Sequence, residues 1–245
     1  RLRVAIKVVK RGVDTDFVLK RFRNERQILA ALDHPLITRL IDGGTTDDGR
    51  PYFVMEYIDG LPLYRYCDKN RLNIDHRLGL FLRICEAVEY AHQKLVIHRD
   101  LKPSNIIICH DGSPRLLDFG IAKLLDPEMA SETLQPTATA LRMMTVDYAS
   151  PEQVRGERVT YETDVYSLGV ILFELLTGHR PYRLSSRSPH EVARAICDDE
   201  PPLPSRSLTG EDATPPVSVN GNAPTLIDVA DLRTESAAQL AERLK

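Results

Sequence analysis

The eight residues from His98 to Asn105, HRDLKPSN, constrain this chain more than any other stretch. They follow an amphipathic run and precede an apolar one, Ile106 to Cys109, so the spacing predicts a loop that feeds a short buried strand. Such a loop can hold polar groups rigidly against the scaffold beneath it. Asp100, Lys102 and Asn105 occupy positions 1, 3 and 6 of DLKPSN and can converge on one ligand, with Pro103 stiffening the turn between them.

Composition narrows the remaining classes. A chain of 245 residues suits one or two domains with a sizeable core. With 42% hydrophobic residues, 27% charged residues and a net charge of -3, it has the balance of an ordinary globular protein and no electrostatic reason to bind nucleic acid. No apolar run approaches the roughly 20 residues of a membrane span, and no signal-peptide pattern is read in it. Cys67, Cys85, Cys109 and Cys197 lie far apart, without CxxC spacing or a nearby His pattern, which argues against a zinc site or a disulfide framework. A reducing cytoplasm is the expected setting.

Taken in order, Arg1 to Lys10 alternates and is rich in β-branched residues, as a strand requires, and places Lys7 among apolar neighbours in VAIK. Thr15 to Leu32 has helical spacing, its stripe carried by Val18, Phe22, Ile28, Leu29 and Leu32, with Glu25 eighteen residues after Lys7. His34 and Pro35 end that helix. Arg39 to Gly43 and Pro51 to Tyr57 flank the turn-forming Gly43 to Arg50 as a hairpin. Leu72 to Lys94 carries a long helical stripe into the HRD loop. A second hairpin, Ile106 to Cys109 with Arg115 to Leu117, delivers Asp118, Phe119 and Gly120. Leu124 to Met144, rich in Thr, Pro and Ala without a sustained period, reads as a mobile loop. Thr163 to Thr177 is apolar on most sides and is stopped by Gly178, the pattern of a core helix. Pro189 to Asp198 suggests one more short helix, Pro201 to Pro224 a linker or insertion, and Thr234 the N-cap of a terminal helix.

These motifs together resemble the protein kinases. HRDLKPSN matches their catalytic loop at every defining position, VAIK resembles their phosphate-gripping strand, and DFG at 118 to 120 resembles their metal-binding motif. ASPEQ at 149 to 153 resembles their APE motif with Ser150 replacing Ala, and residues 55 to 60, MEYIDG, resemble their hinge with Met55 at the gatekeeper place. The resemblance implies an α+β, two-lobed fold: a small β-rich lobe over 1–58, a larger, mainly helical lobe over 59–200, and a linker or insertion over 201–245.

It implies roles as well. ATP and Mg2+ would be bound, with Lys7, fixed by Glu25, on the nucleotide α- and β-phosphates and the backbone of Glu56 and Ile58 on the adenine. Asn105 and Asp118 would hold the metal, Asp100 would accept the substrate hydroxyl proton, and Lys102 would face the phosphates. Asp164 would hydrogen-bond the backbone of the catalytic loop. The DLKPxN form and Thr145, placed to face the acceptor hydroxyl, imply protein substrates phosphorylated on Ser or Thr. SPEQVRG and TDVYSLGVILFELLTGHRPY look most like the eukaryote-type Ser/Thr kinases of bacteria. In that group Thr137 and Thr139 would be activating phosphorylation sites with Arg99 as partner, and a dimer would serve autophosphorylation.

Two departures bear on the resemblance. The family's glycine-rich loop lies before the VAIK strand, where this sequence begins, and Gly43-Gly44 lacks its spacing. The helices that close the large lobe, with an Arg pairing to the APE Glu, have no recognisable counterpart after Gly210. The chain is therefore read as a fragment of a larger protein whose other parts could include a membrane anchor, with a naturally shortened protein as the alternative, and as given it is expected to fold at least partly while binding ATP poorly and turning over little or nothing. A non-catalytic pseudokinase-like interaction module is the alternative from another class, disfavoured because Lys7, Asp100 and Asp118 are all present. Small-molecule phosphotransferases are disfavoured by the APE-like segment, and a Ser-nucleophile hydrolase by the lack of a GxSxG elbow.

Overall fold

The computed structural model describes residues 3–8, 26–119, 146–182, 188–207, 233, 239 and 242–244. Three strands, β1 (Val4–Val8), β2 (Leu40–Thr45) and β3 (Pro51–Glu56), form an antiparallel sheet in the order β1-β3-β2. The strand period of two decides which way Lys7 points. Val4, Ile6 and Val8 take the outer face, where Ile6 is 61% exposed, so Ala5 and Lys7 take the inner one and are half-buried. Lys7 stands opposite the fully buried Phe53. Between β2 and β3 the hairpin closes with Thr46 N–H donating to Arg50 O at 2.9 Å, and Gly49 supplies the left-handed turn conformation at φ 84°. Helical structure over 26–30 precedes this hairpin and buries Leu29.

The second lobe begins with β4 (Gly60–Pro62) and α1 (Leu63–Lys69), followed by α2 (Ile74–Gln93). β5 (Ile106–Cys109) and β6 (Pro114–Leu116) join β4 in a sheet of order β4-β5-β6. Gly60 is required there, since a Cβ would meet Ile108 O at 2.3 Å. Then come α3 (Pro151–Arg155), α4 (Tyr161–Thr177), α5 (Pro189–Cys197) and α6 (Pro204–Ser207). α2 starts where Asn73 accepts the N–H of His76 at 3.0 Å, and its face of Leu80, Ile84, Ala87, Val88 and Ala91 is buried. Asn73→Ala should lower unfolding stability by about 1 kcal/mol, the usual cost of losing a side-chain N-cap, as read by urea titration.

One core cluster crosses from lobe to lobe, running from Leu29, Leu32 and Phe53 to Ile84, Leu101, Leu116 and Ile171. The backbone reinforces it, because Leu116 N–H donates to Leu36 O at 2.8 Å and Thr38 N–H to Leu116 O at 2.9 Å. Arg115, on β6, also bonds Glu56 Oε1 at 2.7 Å and the carbonyl of Pro35. The β5–β6 hairpin is thereby fastened to the small lobe directly behind Asp118.

Three features differ from the sequence reading. β4 and α1 were not foreseen, since three strand residues carry too little pattern and the seven residues of α1 are too few to show a period, with Leu63 and Cys67 buried and Tyr64 and Tyr66 half-buried against the core. α6 stands inside the stretch assigned to a linker, with Ser205 and Ser207 buried. Arg233, for which no role was read, is 2% exposed and donates to the carbonyls of Leu176 and, at 3.0 Å, Leu175 at the end of α4. Cations at a helix C-terminus satisfy its last carbonyls and oppose its dipole.

Candidate active site

The loop before β5 is held from below by one carboxylate. Asp164, in the first turn of α4, is fully buried and accepts the N–H groups of His98 at 2.8 Å and Arg99 at 2.9 Å. His92, near the end of α2, brings Nε2 to within 2.7 Å of the same carboxylate. Arg99 sits at φ 66°, a left-handed conformation that costs a non-glycine residue about 1–2 kcal/mol. The surroundings keep it there: its N–H is bound by Asp164, and its carbonyl accepts Gln153 Nε2 at 2.8 Å. Gln153 is itself fixed, since Ser150 and Gln153 form a reciprocal capping box at the start of α3.

His98 ties this loop to the next. Its Nε2 donates to Leu117 O at 2.9 Å, which leaves Nδ1 to accept the N–H of Asp100 at 3.4 Å. Burial pushes the ring's pKa down, so it stays neutral in that tautomer, and it packs on Phe119 with ring centroids 4.6 Å apart. Asn105 adds a second tie, its carbonyl accepting the N–H of Leu117 at 2.8 Å. Two ties therefore set Asp118 against the catalytic loop.

The polar groups meet on that frame. Asp100 Oδ2 lies 2.7 Å from Lys102 Nζ and 3.2 Å from Asn105 Nδ2, which also donates to Asp100 O at 2.9 Å. Lys7 reaches across from β1 to put Nζ 3.1 Å from Asp118 Oδ2. Asp118 is left-handed at φ 50°, and its Oδ1 is buried without a hydrogen-bond partner among the described residues. A buried, unpartnered carboxylate oxygen is costly unless a cation or donor completes it. Asn105, whose amide nitrogen is turned to Asp100, has its carbonyl oxygen directed elsewhere. One carboxylate and one amide oxygen fit a hard cation such as Mg2+, which takes few protein ligands and keeps waters and phosphates for the rest. Among the described residues no group of three or more His, Cys, Asp or Glu gathers as a metal cluster.

Beside Asp118 a small pocket is lined by Leu29, Leu32, Ile37, Thr38, Leu40, Met55 and Phe119, so Met55 stands on the cavity side of β3. Glu56 ends β3, its N–H donating to Arg39 O at 3.0 Å. Residues 57–59, with Ile58 in the middle, run between β3 and β4 outside any strand. Of the residues named from sequence, Lys7, Arg99, Asp100, Lys102, Asn105 and Asp118 are thus brought together, with Glu56 and Ile58 on the strand exit nearby. Glu25, Gly120, Thr137, Thr139 and Thr145 lie outside the described residues. Gln153, His92 and Arg115 support the site and were not singled out. Only Gln153 carried a signal, the S-x-x-Q spacing of a capping box in SPEQ.

Comparison with known proteins agrees with this geometry. The family described as the protein kinase domain matches residues 1–230. The chain is 42% identical over 182 residues to the serine/threonine-protein kinase PrkC of Bacillus subtilis, covering 73% of this chain and 27% of that protein. It is 40% identical over 218 residues to the serine/threonine-protein kinase PknB of Mycolicibacterium smegmatis, covering 86% of this chain and 33% of that protein. PknB of Mycobacterium tuberculosis is 38% identical over 216 residues, again with 86% and 33% covered. The chain thus spans about a third of the length of the curated relatives it matches. With a small antiparallel sheet, a larger helical lobe and Lys7, Asp100 and Asp118 in one cleft, the chain belongs to the protein kinase domain family and stands within it beside the bacterial serine/threonine kinases.

Proposed function

We propose that this chain carries the catalytic apparatus of an ATP-dependent protein serine/threonine kinase, which moves the γ-phosphoryl group of ATP to Ser or Thr hydroxyls of proteins. The observation that carries the reading is the meeting of Lys7, Asp100, Lys102, Asn105 and Asp118 across one cleft. In the transfer a bond forms between the acceptor oxygen and the γ-phosphorus, and the bond from that phosphorus to the β–γ bridging oxygen breaks. Asp100 takes the acceptor proton and aims the oxygen, while Lys102, 2.7 Å away, sets positive charge on the phosphoryl side. Asn105 and Asp118 are the residues that would hold Mg2+, and Lys7 would bind the α- and β-phosphates. Mg2+, when bound, neutralises phosphate charge. The backbone of Glu56 and Ile58 would meet the adenine.

The lobe limits 1–58 and 59–200, with a linker or insertion over 201–245, belong to the same reading, as do activating phosphates on Thr137 and Thr139, a phosphate partner in Arg99, Thr145 facing the acceptor, and phosphorylation between two copies. Glu25 is assigned as the ion-pair partner of Lys7. The thiols of Cys67, Cys85, Cys109 and Cys197 are free, in keeping with a reducing compartment and a proposed cytoplasmic location for this segment. No helix among the described residues is long and apolar enough to cross a membrane.

The test is incubation of the full-length protein with MgATP and a generic basic protein, with phosphorylated residues located by mass spectrometry. Phosphate on Ser and Thr is expected; nucleotide binding without transfer at any protein concentration would replace the reading with the pseudokinase. Asp118→Asn should remove the Mg2+ dependence of nucleotide binding, as followed by calorimetry with and without the metal. Unchanged Mg2+ dependence would take Asp118 out of the metal site.

A further inference from the structure

α4 holds a second buried acid that phosphoryl transfer does not use. Glu174 is 2% exposed, and its Oε2 receives the hydroxyls of Tyr64 at 2.9 Å and Tyr148 at 2.6 Å. Its Oε1 is buried and has no hydrogen-bond partner among the described residues. The groups facing it come from three places: Tyr64 on α1, Asp147 and Tyr148 in the 3-10 turn Val146–Tyr148, and Arg180 just past α4. Arg180 Nη1 is itself 2.9 Å from Asp147 Oδ1. Burial drives the Glu174 carboxyl up to about 7, against the opposing pull of the two hydroxyls and Arg180. Burial also raises both tyrosines well above their ordinary value, so they remain neutral donors.

The hydrogen-bond geometry accommodates two protonation states. Tyr64 has one hydroxyl hydrogen and two acceptors in reach, Glu174 Oε2 and Ile171 O at 3.3 Å. With Glu174 ionised, both tyrosines donate into Oε2. With a proton on Oε2, Glu174 donates to the Tyr64 oxygen, the Tyr64 hydrogen turns to Ile171 O, and Tyr148 keeps only a neutral bond. Bonds to an ionised acceptor are about twice as strong as neutral ones. The grip on Tyr148 therefore depends on the proton. Tyr148 closes the turn that leads through Ser150 into α3, where Gln153 holds the carbonyl of Arg99.

We propose that Glu174 is a positioning residue whose reversible protonation loosens and tightens the turn Val146–Tyr148, and through it the neighbouring substrate-facing segment. The part concerning substrate rests on the kinase reading; the proton site does not. Ionisation has opposite local and global effects. Because the folded-state value lies above the ordinary 4.5, the folded protein binds the proton more tightly than the unfolded chain does. The resulting stability is full below 4.5 and is lost as pH rises through about 7.

Infrared titration should show a neutral carboxyl band that disappears around pH 7 and is missing from Glu174→Gln. Tyr64→Phe, which removes one donor to the anion while keeping the packing, should move that titration upward. Hydrogen exchange across residues 146–155 should slow as pH rises through the same point, after correction for intrinsic rates, and lose that step in Glu174→Gln. The KM for a protein substrate should fall about fivefold over the same interval in the parent, the size of one strengthened hydrogen bond, and stay flat in Glu174→Gln. Absence of the band, or the same exchange step in parent and variant, overturns the proposal. A titrating band with its exchange step and no phosphoryl transfer at any pH upholds the proton site and overturns the kinase reading alone.

Discussion

In the full-length protein, Asp100→Asn is expected to lower turnover by at least about 10²- to 10⁴-fold while leaving MgATP affinity nearly unchanged. The substitution keeps the size and shape of the side chain, so the loop retains its ties through His98 and Asn105 to Leu117. What it removes is an oxygen basic enough to take a proton as the acceptor hydroxyl attacks. The ion pair with Lys102 at 2.7 Å is lost too, but both side chains are about one-fifth exposed, so screening limits that contribution. Turnover by steady-state kinetics and affinity by calorimetry separate the two effects. Similar turnover in parent and variant would remove Asp100 from the role of base.

Asp164→Ala is expected to cost about 3–5 kcal/mol of stability, the usual scale for breaking a buried charge network by removing one member. Its carboxylate serves the N–H groups of His98 and Arg99 and faces His92 Nε2, so truncation leaves three polar groups without their acceptor. Asp164→Asn keeps one acceptor oxygen and should lose roughly half as much. Because Asp164 also holds Arg99 in its left-handed conformation, turnover should fall even at temperatures where the variant is folded. Urea unfolding of the two variants checks the order, and an Ala variant as stable as the parent would show that the loop is held by something else.

Much of the fold was legible because its patterns are local. A stripe at helical spacing announced α2 and the all-round apolar α4, and turn residues between short β-branched runs announced both hairpins. β4, α1 and α6 were not legible, since each is short and takes its place from packing against other elements. Arg233 shows the same limit: an arginine in a polar stretch has no sequence mark that distinguishes a helix cap from a solvated charge.

The sequence by itself determined which chemical groups are available and their local conformations: an Asp, a Lys and an Asn on one proline-stiffened loop, a Lys in a strand and an Asp at the end of a hairpin. Periodicity and turn chemistry act over a few residues, so these could be read directly. Only the tertiary structure decided that Lys7 and Asp118, 111 positions apart, stand 3.1 Å from each other, and that Asp164 reaches back to hold His98 and Arg99. It also decided that Glu174 is enclosed with two tyrosines instead of facing water. Burial and long-range contact arise from the packing of whole elements, and the same carboxylate is a solvated charge or a buried, proton-sensitive one according to what is packed around it.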